Sequence, residues 1–214
     1  MSAVVVRRFQ GSHLTNTWQT DDQTLSSALS ERLDDLEFVI DELERLNASS
    51  GNAFAGRLDL ARLAVAGHSL GGLTAWFGVQ REARFRAAVL VDPYLPDIPV
   101  GSTGTPIMLL TMGREQRNED ECQLWSDLRG PRLAVNLRGA EHVTPSDLVW
   151  LAKGAIKSGS MGPEKTIAAV RDYMAAFLDV NLRGRPAAGL LNGASSDYPD
   201  AVVTTQEQAM CHQP

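Results

Sequence analysis

Leu63-Ala64-Val65-Ala66-Gly67-His68-Ser69-Leu70-Gly71-Gly72-Leu73-Thr74-Ala75 runs from a short apolar stretch, through glycines, into an apolar helix start. Gly67 to Gly71 fits G-x-S-x-G, the nucleophile elbow, in the strand-to-helix setting that motif requires. The reason is steric. A serine held on a sharp, strained turn leaves no room for side chains at the flanking positions, which would meet the neighbouring strand and helix. Glycine removes those collisions. Such a turn lifts the Ser69 hydroxyl above the sheet edge and aims the Leu70 N–H at the same spot. There the N–H and the helix N-terminus can stabilise an oxyanion.

Outward from this stretch, strands and helices alternate. Ala3 to Val6 predicts a short buried strand, and Gln10 to Gln23 a polar loop. From Ser27 to Leu46 the apolar residues Leu29, Leu33, Leu36, Ile40 and Leu43 recur at helical spacing, with charged residues opposite. That face suits docking onto a sheet, and Asn47 to Gly56 ends the helix. Further strands are predicted over Ala87 to Val91, Pro106 to Met112 and Leu133 to Leu137, and a last helix near Glu164 to Asn181. Continuous apolar strands separated by helices indicate an α/β fold with a mostly parallel sheet. The expected domain covers residues 1–181. Beyond Leu182 the composition shifts to Gly, Pro, Asn, Ser and Asp, predicting an irregular tail over 182–214.

The chain has 214 residues and a formal net charge of -6, with Lys+Arg 20 against Asp+Glu 26 and no basic run, which disfavours nucleic acid as a partner. No apolar stretch is long enough to span a membrane. The N-terminus has only a short apolar run before Arg7 and Arg8 and does not resemble a secretory signal. Cytoplasm is therefore favoured, with a processed secreted form as the alternative. The two cysteines, Cys122 and Cys211, could pair once and tie down the tail, or both stay reduced. The histidines are scattered and no CxxC occurs, so no metal site is expected.

Serine needs a base. Of His13, His68, His142 and His212, only His142 lies both after the serine and just past a parallel strand, on the edge where the elbow sits. His68 lies inside the elbow and should point away from the hydroxyl. Two positions suit the acid: Asp92, directly after Ala87 to Val91 and fixed by Pro93, or Glu115 after the next strand, with Glu119 and Asp120 beyond. The run Glu115 to Glu121 is mostly charged and reads as a solvated loop, so Asp92 is favoured.

The segments Leu63 to Ala75, Phe85 to Pro96 (FRAAVLVDPYLP) and Asn136 to Leu148 (NLRGAEHVTPSDL) resemble the platelet-activating-factor acetylhydrolase type of α/β-hydrolase, a branch with many bacterial esterases and lipase-like proteins. The resemblance covers roughly Leu29 to Leu182. It implies Ser69 as nucleophile, Asp92 as orienting acid and His142 as general base, with Asp147 of His-x-x-x-x-Asp as a loop cap. In the neighbouring polyester-hydrolase and dienelactone-hydrolase branches the acid comes one strand later, near Glu115. The chain departs from the family before Ser27, where the family carries further strands and a His-Gly loop that gives the second oxyanion N–H. Either Ala3 to Val6 takes the place of the strand beside the serine strand, so that Gln10 or Gly11 supplies that N–H, or the donor is missing.

The expected activity is hydrolysis of small or short-chain carboxylic esters through an acyl-enzyme, with no cofactor. The alternatives are a lipase or phospholipid acyl hydrolase, and an impaired hydrolase-like binding fold. Trp76, Trp125, Trp150 and Tyr94 are candidates to line an acyl pocket. The shortened sheet suggests a homodimer through an open strand edge.

Overall fold

Short apolar runs bracketed by Gly, Pro and Asp become the strands of one sheet. The computed structural model describes residues 22–95, 101–115, 119–152, 154–187, 189–208 and 211. The expected strand Ala3 to Val6, Gln10, Gly11, His13 and His212 lie outside them. The described residues divide into two compact units, one up to Ala61 and one from Arg62 onward.

The first unit contains α1 (Asp22–Ala48), which starts earlier than the expected Ser27. Its apolar spacing is reflected in burial: Ile40 is buried, while Leu29, Leu33, Leu36 and Leu43 are half-buried. The helix's last carbonyls lack intrahelical partners. The Asn52 side-chain amide supplies donors, 2.9 Å from the Leu46 carbonyl and 2.7 Å from that of Ser49.

The second unit runs β1 (Leu63–His68), α2 (Leu70–Arg81), β2 (Phe85–Val91), β3 (Ile107–Met112), α3 (Glu119–Asp127), β4 (Arg132–Leu137), α4 (Leu148–Leu151), α5 (Pro163–Arg183) and β5 (Ala201–Thr205). The sheet order is β1-β2-β3-β4-β5, with β1 to β4 parallel and β5 antiparallel to β4. β2, β3 and β4 are apolar at nearly every position because both their faces are covered. Val89, Val91, Met108, Leu110, Val135 and Leu137 meet Ala169, Tyr173 and Phe177 of α5. Alternation turns Ala88, Leu90, Ile107 and Leu109 to the other face, and these too are fully buried. Each such Leu, Ile or Met contributes roughly 1.5–3 kcal/mol. In register, His68 pairs Val91, Val91 pairs Leu110, and Met112 pairs Leu137. The C-terminal ends of the parallel strands therefore share one edge.

Two expectations are corrected. The irregular tail over 182–214 contains β5, whose Val202, Val203, Thr204 and Thr205 form a β-branched run that the Gly- and Asp-rich surroundings mask. Tyr198, buried just before it, donates to Asp172 Oδ2 of α5 at 2.5 Å. That bond to a carboxylate, with burial, pushes the phenol up to about 12. Glu115 to Glu121 is not a solvated loop throughout: Glu119 opens α3, where acidic residues in the first turn suit the helix dipole. Cys122 of α3 is disulfide-bonded to Cys211, with Cα atoms 5.8 Å apart, so the paired alternative holds.

Candidate active site

Ser69 alone joins β1 to α2, at φ 58° and ψ -120°. Positive φ in a non-glycine residue costs roughly 1–3 kcal/mol and persists only where its surroundings over-determine it. Here they do. The Ser69 N–H donates to Val91 O at 3.0 Å. Its carbonyl accepts from the N–H groups of Gly72 (2.9 Å), Leu73 (3.2 Å) and Tyr94 (3.1 Å). Among the described residues the Leu70 N–H has no acceptor.

Of the two glycines in the five-residue pattern, space requires only Gly67. A Cβ at Gly67 would fall inside the Gly71 carbonyl, and one at Gly72 would lie 2.8 Å from Pro93 Cβ. A Cβ at Gly71 would meet no described atom. Gly72, outside the five-residue pattern, is thus the second glycine that space requires. Gly67→Ala is expected to cost about 3 kcal/mol or more. Gly71→Ala, in a helix, should change stability by about 1 kcal/mol or less, in the stabilising direction. Urea midpoints measure both, and equal losses would refute the distinction.

His142 follows β4 on a turn pinned by Thr144, whose fully buried Oγ1 accepts from the Glu141 N–H at 2.9 Å and donates to Ser158 O at 3.2 Å. The imidazole lies between the two other expected residues. Its Nδ1 is 2.5 Å from Asp92 Oδ2 and its Nε2 is 3.1 Å from Ser69 Oγ. In the neutral tautomer that suits this arrangement, Nδ1–H donates to the carboxylate and Nε2 accepts from the hydroxyl. Asp92 is 1% exposed and also has a positive φ of 40°. Its N–H donates to Leu110 O at 2.6 Å, and its Oδ1 accepts from the Met112 N–H at 3.1 Å. Glu115 is exposed, as is Glu119, while Asp120 is half-buried. The structure thus brings Ser69, Asp92 and His142 together at the shared strand edge.

Residues 41–185 match the family described as platelet-activating factor acetylhydrolase, isoform II. The chain belongs to this family. It is also similar to the solved ferulic acid esterase from Streptomyces cinnamoneus, with 27% identity and a TM-score of 0.72 over 89% of this chain. The match takes in 58% of that esterase, so this chain spans less than two thirds of its length.

Within this acetylhydrolase-family site two further groups bear on the three residues. His68 closes β1 and donates from Nε2 to the His142 carbonyl at 2.8 Å, its ring centroid 4.6 Å from that of His142. Burial foremost, then the neighbouring His142, pushes the His68 imidazole below its ordinary value. The bond to the His142 carbonyl and the Asp92 charge act the other way. Behind the acid, Arg114 Nη2 donates to Asp92 Oδ1 at 3.1 Å and its Nε to Glu121 Oε1 at 2.9 Å. Burial works against the guanidinium charge, but Asp92 and Glu121 outweigh it, so Arg114 sits above its ordinary value. Asn136 holds the Arg114 backbone from both sides, accepting from its N–H at 3.2 Å and donating to its carbonyl at 2.6 Å.

Of the candidate pocket aromatics, Trp76 and Trp125 are core residues, 1% and 6% exposed. Tyr94 and Trp150 are exposed, as are Leu148 and Leu151 beside Trp150 on α4. Asp147 precedes α4, but its carbonyl, not its carboxylate, accepts the Trp150 and Leu151 N–H groups. Among the described residues no group of His, Cys, Asp and Glu could hold a metal ion, and no helix is long and apolar enough to cross a membrane.

Proposed function

We propose that this chain is a serine carboxylesterase acting on small or short-chain esters, with Ser69 as nucleophile, His142 as general base and Asp92 as the orienting acid. The observation that carries this is the unbroken hydrogen-bond path from buried Asp92 through His142 to a serine held on a strained elbow. In the proposed cycle His142 Nε2 takes the Ser69 proton as Oγ attacks the ester carbonyl. The Leu70 N–H, at the start of α2, donates to the oxyanion. The tetrahedral species collapses, the alcohol leaves with the proton from His142, and Ser69 carries the acyl group. Water, activated in turn by His142, then releases the acid and restores the hydroxyl. Asp92 keeps Nδ1 protonated and stabilises the imidazolium at each transfer.

The names of the matched family and of the similar structure, an acetylhydrolase and a ferulic acid esterase, support ester cleavage. Exposed Tyr94, whose N–H is bonded to the Ser69 carbonyl, and the half-exposed His142 ring support a site open to small esters. The test is a short quench of the protein with p-nitrophenyl acetate, followed by peptide mapping. An acetyl adduct on the Ser69 peptide, with turnover falling from acetate and butyrate to longer p-nitrophenyl esters, is the expected result. An adduct elsewhere, or neither adduct nor turnover, would overturn the reading. Preference for long acyl chains would favour a lipase instead.

A further inference from the structure

Asp92 has two carboxylate oxygens with separate duties. Oδ2 faces the His142 ring, while Oδ1 is held by the Met112 N–H and by Arg114. A cation placed there carries a penalty for the chemistry proposed above. The acid assists His142 by offering a negative charge to the imidazolium, and a guanidinium 3.1 Å from Oδ1 offsets that charge in a poorly solvated place. Glu121 restores the balance. Its carboxylate, on a residue only 1% exposed, accepts from Nε of the same guanidinium. Between them Arg114 and Glu121 are formally neutral, so the pair leaves the Asp92 charge uncancelled.

We propose that Arg114 and Glu121 are positioning residues for this site, a carboxylate–guanidinium–carboxylate relay that fixes the rotation of Asp92 and sets the proton affinity of His142. The proposal rests on the roles assigned above to Ser69, Asp92 and His142. Their part in the site runs through Asp92, to which Arg114 is bonded directly and Glu121 through Arg114. Charged and titratable groups around the His142 ring, among the described residues, come from several elements. Asp92 lies at the end of β2 and His68 at the end of β1, with Arg114 after β3 and Glu121 on α3 behind the acid. Exposed Glu141 precedes His142 in the chain.

A purely structural pin and a charge relay make different predictions. Glu121→Gln keeps an oxygen to accept from Arg114 but removes a negative charge. The imidazolium is then less stabilised, His142 loses its proton more readily, and the acid limb of kcat/KM should move to lower pH by about 0.5–1 unit. Arg114→Gln removes the positive charge and should move it to higher pH. The double variant, with the net charge of the wild type, should return the limb towards the wild-type position.

The same titration is read without turnover by NMR of the His142 ring, assigned by its disappearance in His142→Gln. Opposite shifts in the single variants with recovery in the double are the expected result. If Arg114→Gln does not fold, Glu121→Gln and the double variant decide the matter. An unchanged midpoint in Glu121→Gln, or a double variant that moves as far as Glu121→Gln does, would overturn the relay. NMR shifts without Ser69-dependent turnover would instead sink the ester-hydrolysis reading and leave the relay standing.

Discussion

Replacing Ser69 by alanine is expected to lower kcat/KM for p-nitrophenyl acetate by roughly 10⁵- to 10⁶-fold, because removal of a serine nucleophile takes the acyl-enzyme route with it. What remains is the small rate that oxyanion stabilisation and binding supply to direct attack by water. The fold should scarcely notice. The contacts that hold residue 69 at φ 58° are made by its backbone N–H and carbonyl, and alanine keeps both. Its Oγ bonds only to the half-exposed His142 among the described residues. The informative result is therefore a large kinetic loss at an unchanged melting temperature. A loss of less than ten-fold with an intact fold would show that hydrolysis runs through another group.

The second large effect is expected at Asp92. Asp92→Asn should cost about 10⁴-fold in kcat, because an amide facing Nδ1 can donate as well as accept and no longer fixes the tautomer whose Nε2 is free to take the serine proton. The competing acid position, one strand later, is tested alongside. Glu115 is exposed and no hydrogen bond joins it to His142 among the described residues. Glu115→Gln should leave kcat within about two-fold, in keeping with the small effects of surface substitutions. Losses of similar size in both variants would remove the distinction between the two strand ends. Because Asp92→Asn also leaves the Arg114–Glu121 pair without its second carboxylate, a thermal melt should accompany the kinetics.

The parts of this molecule that the sequence announced are those written in local pattern. β1 to β4 are short apolar runs with punctuation at their ends. The elbow is a local steric device, and the parallel topology placed Asp92 and His142 beside Ser69 by bringing the strand ends to one edge. The parts it hid are held by partners distant in the chain. Buried Glu121, Leu124, Trp125 and Leu128 recur at helical spacing, yet the first of these is a carboxylate, and its pairing with Arg114 helps make burial tolerable. A glutamate standing where an apolar residue would complete a helix face was the available signal, and a reading by charge alone passes over it. His68 is similar: nothing near it in sequence tells that the loop from β4 would bring a carbonyl and a second imidazole to its ring. β5 was hidden by averaging, five strand residues inside a polar, Gly-containing segment.

The bond between Cys122 and Cys211 has a consequence for how the molecule is made. It closes a sequence separation of 89 residues, a constraint on the unfolded chain of roughly 4–5 kcal/mol in the loop-entropy model. Cys211 follows β5, so while the chain is being synthesised β4 is an uncovered edge and Cys122 a free thiol until the last described segment emerges. Oxidation completes the structure only afterwards, in surroundings that permit it. Preparations of one sequence from reducing and oxidising hosts would then be two covalent species, differing at the residue next to Glu121, and a protein's redox history becomes part of its chemical identity.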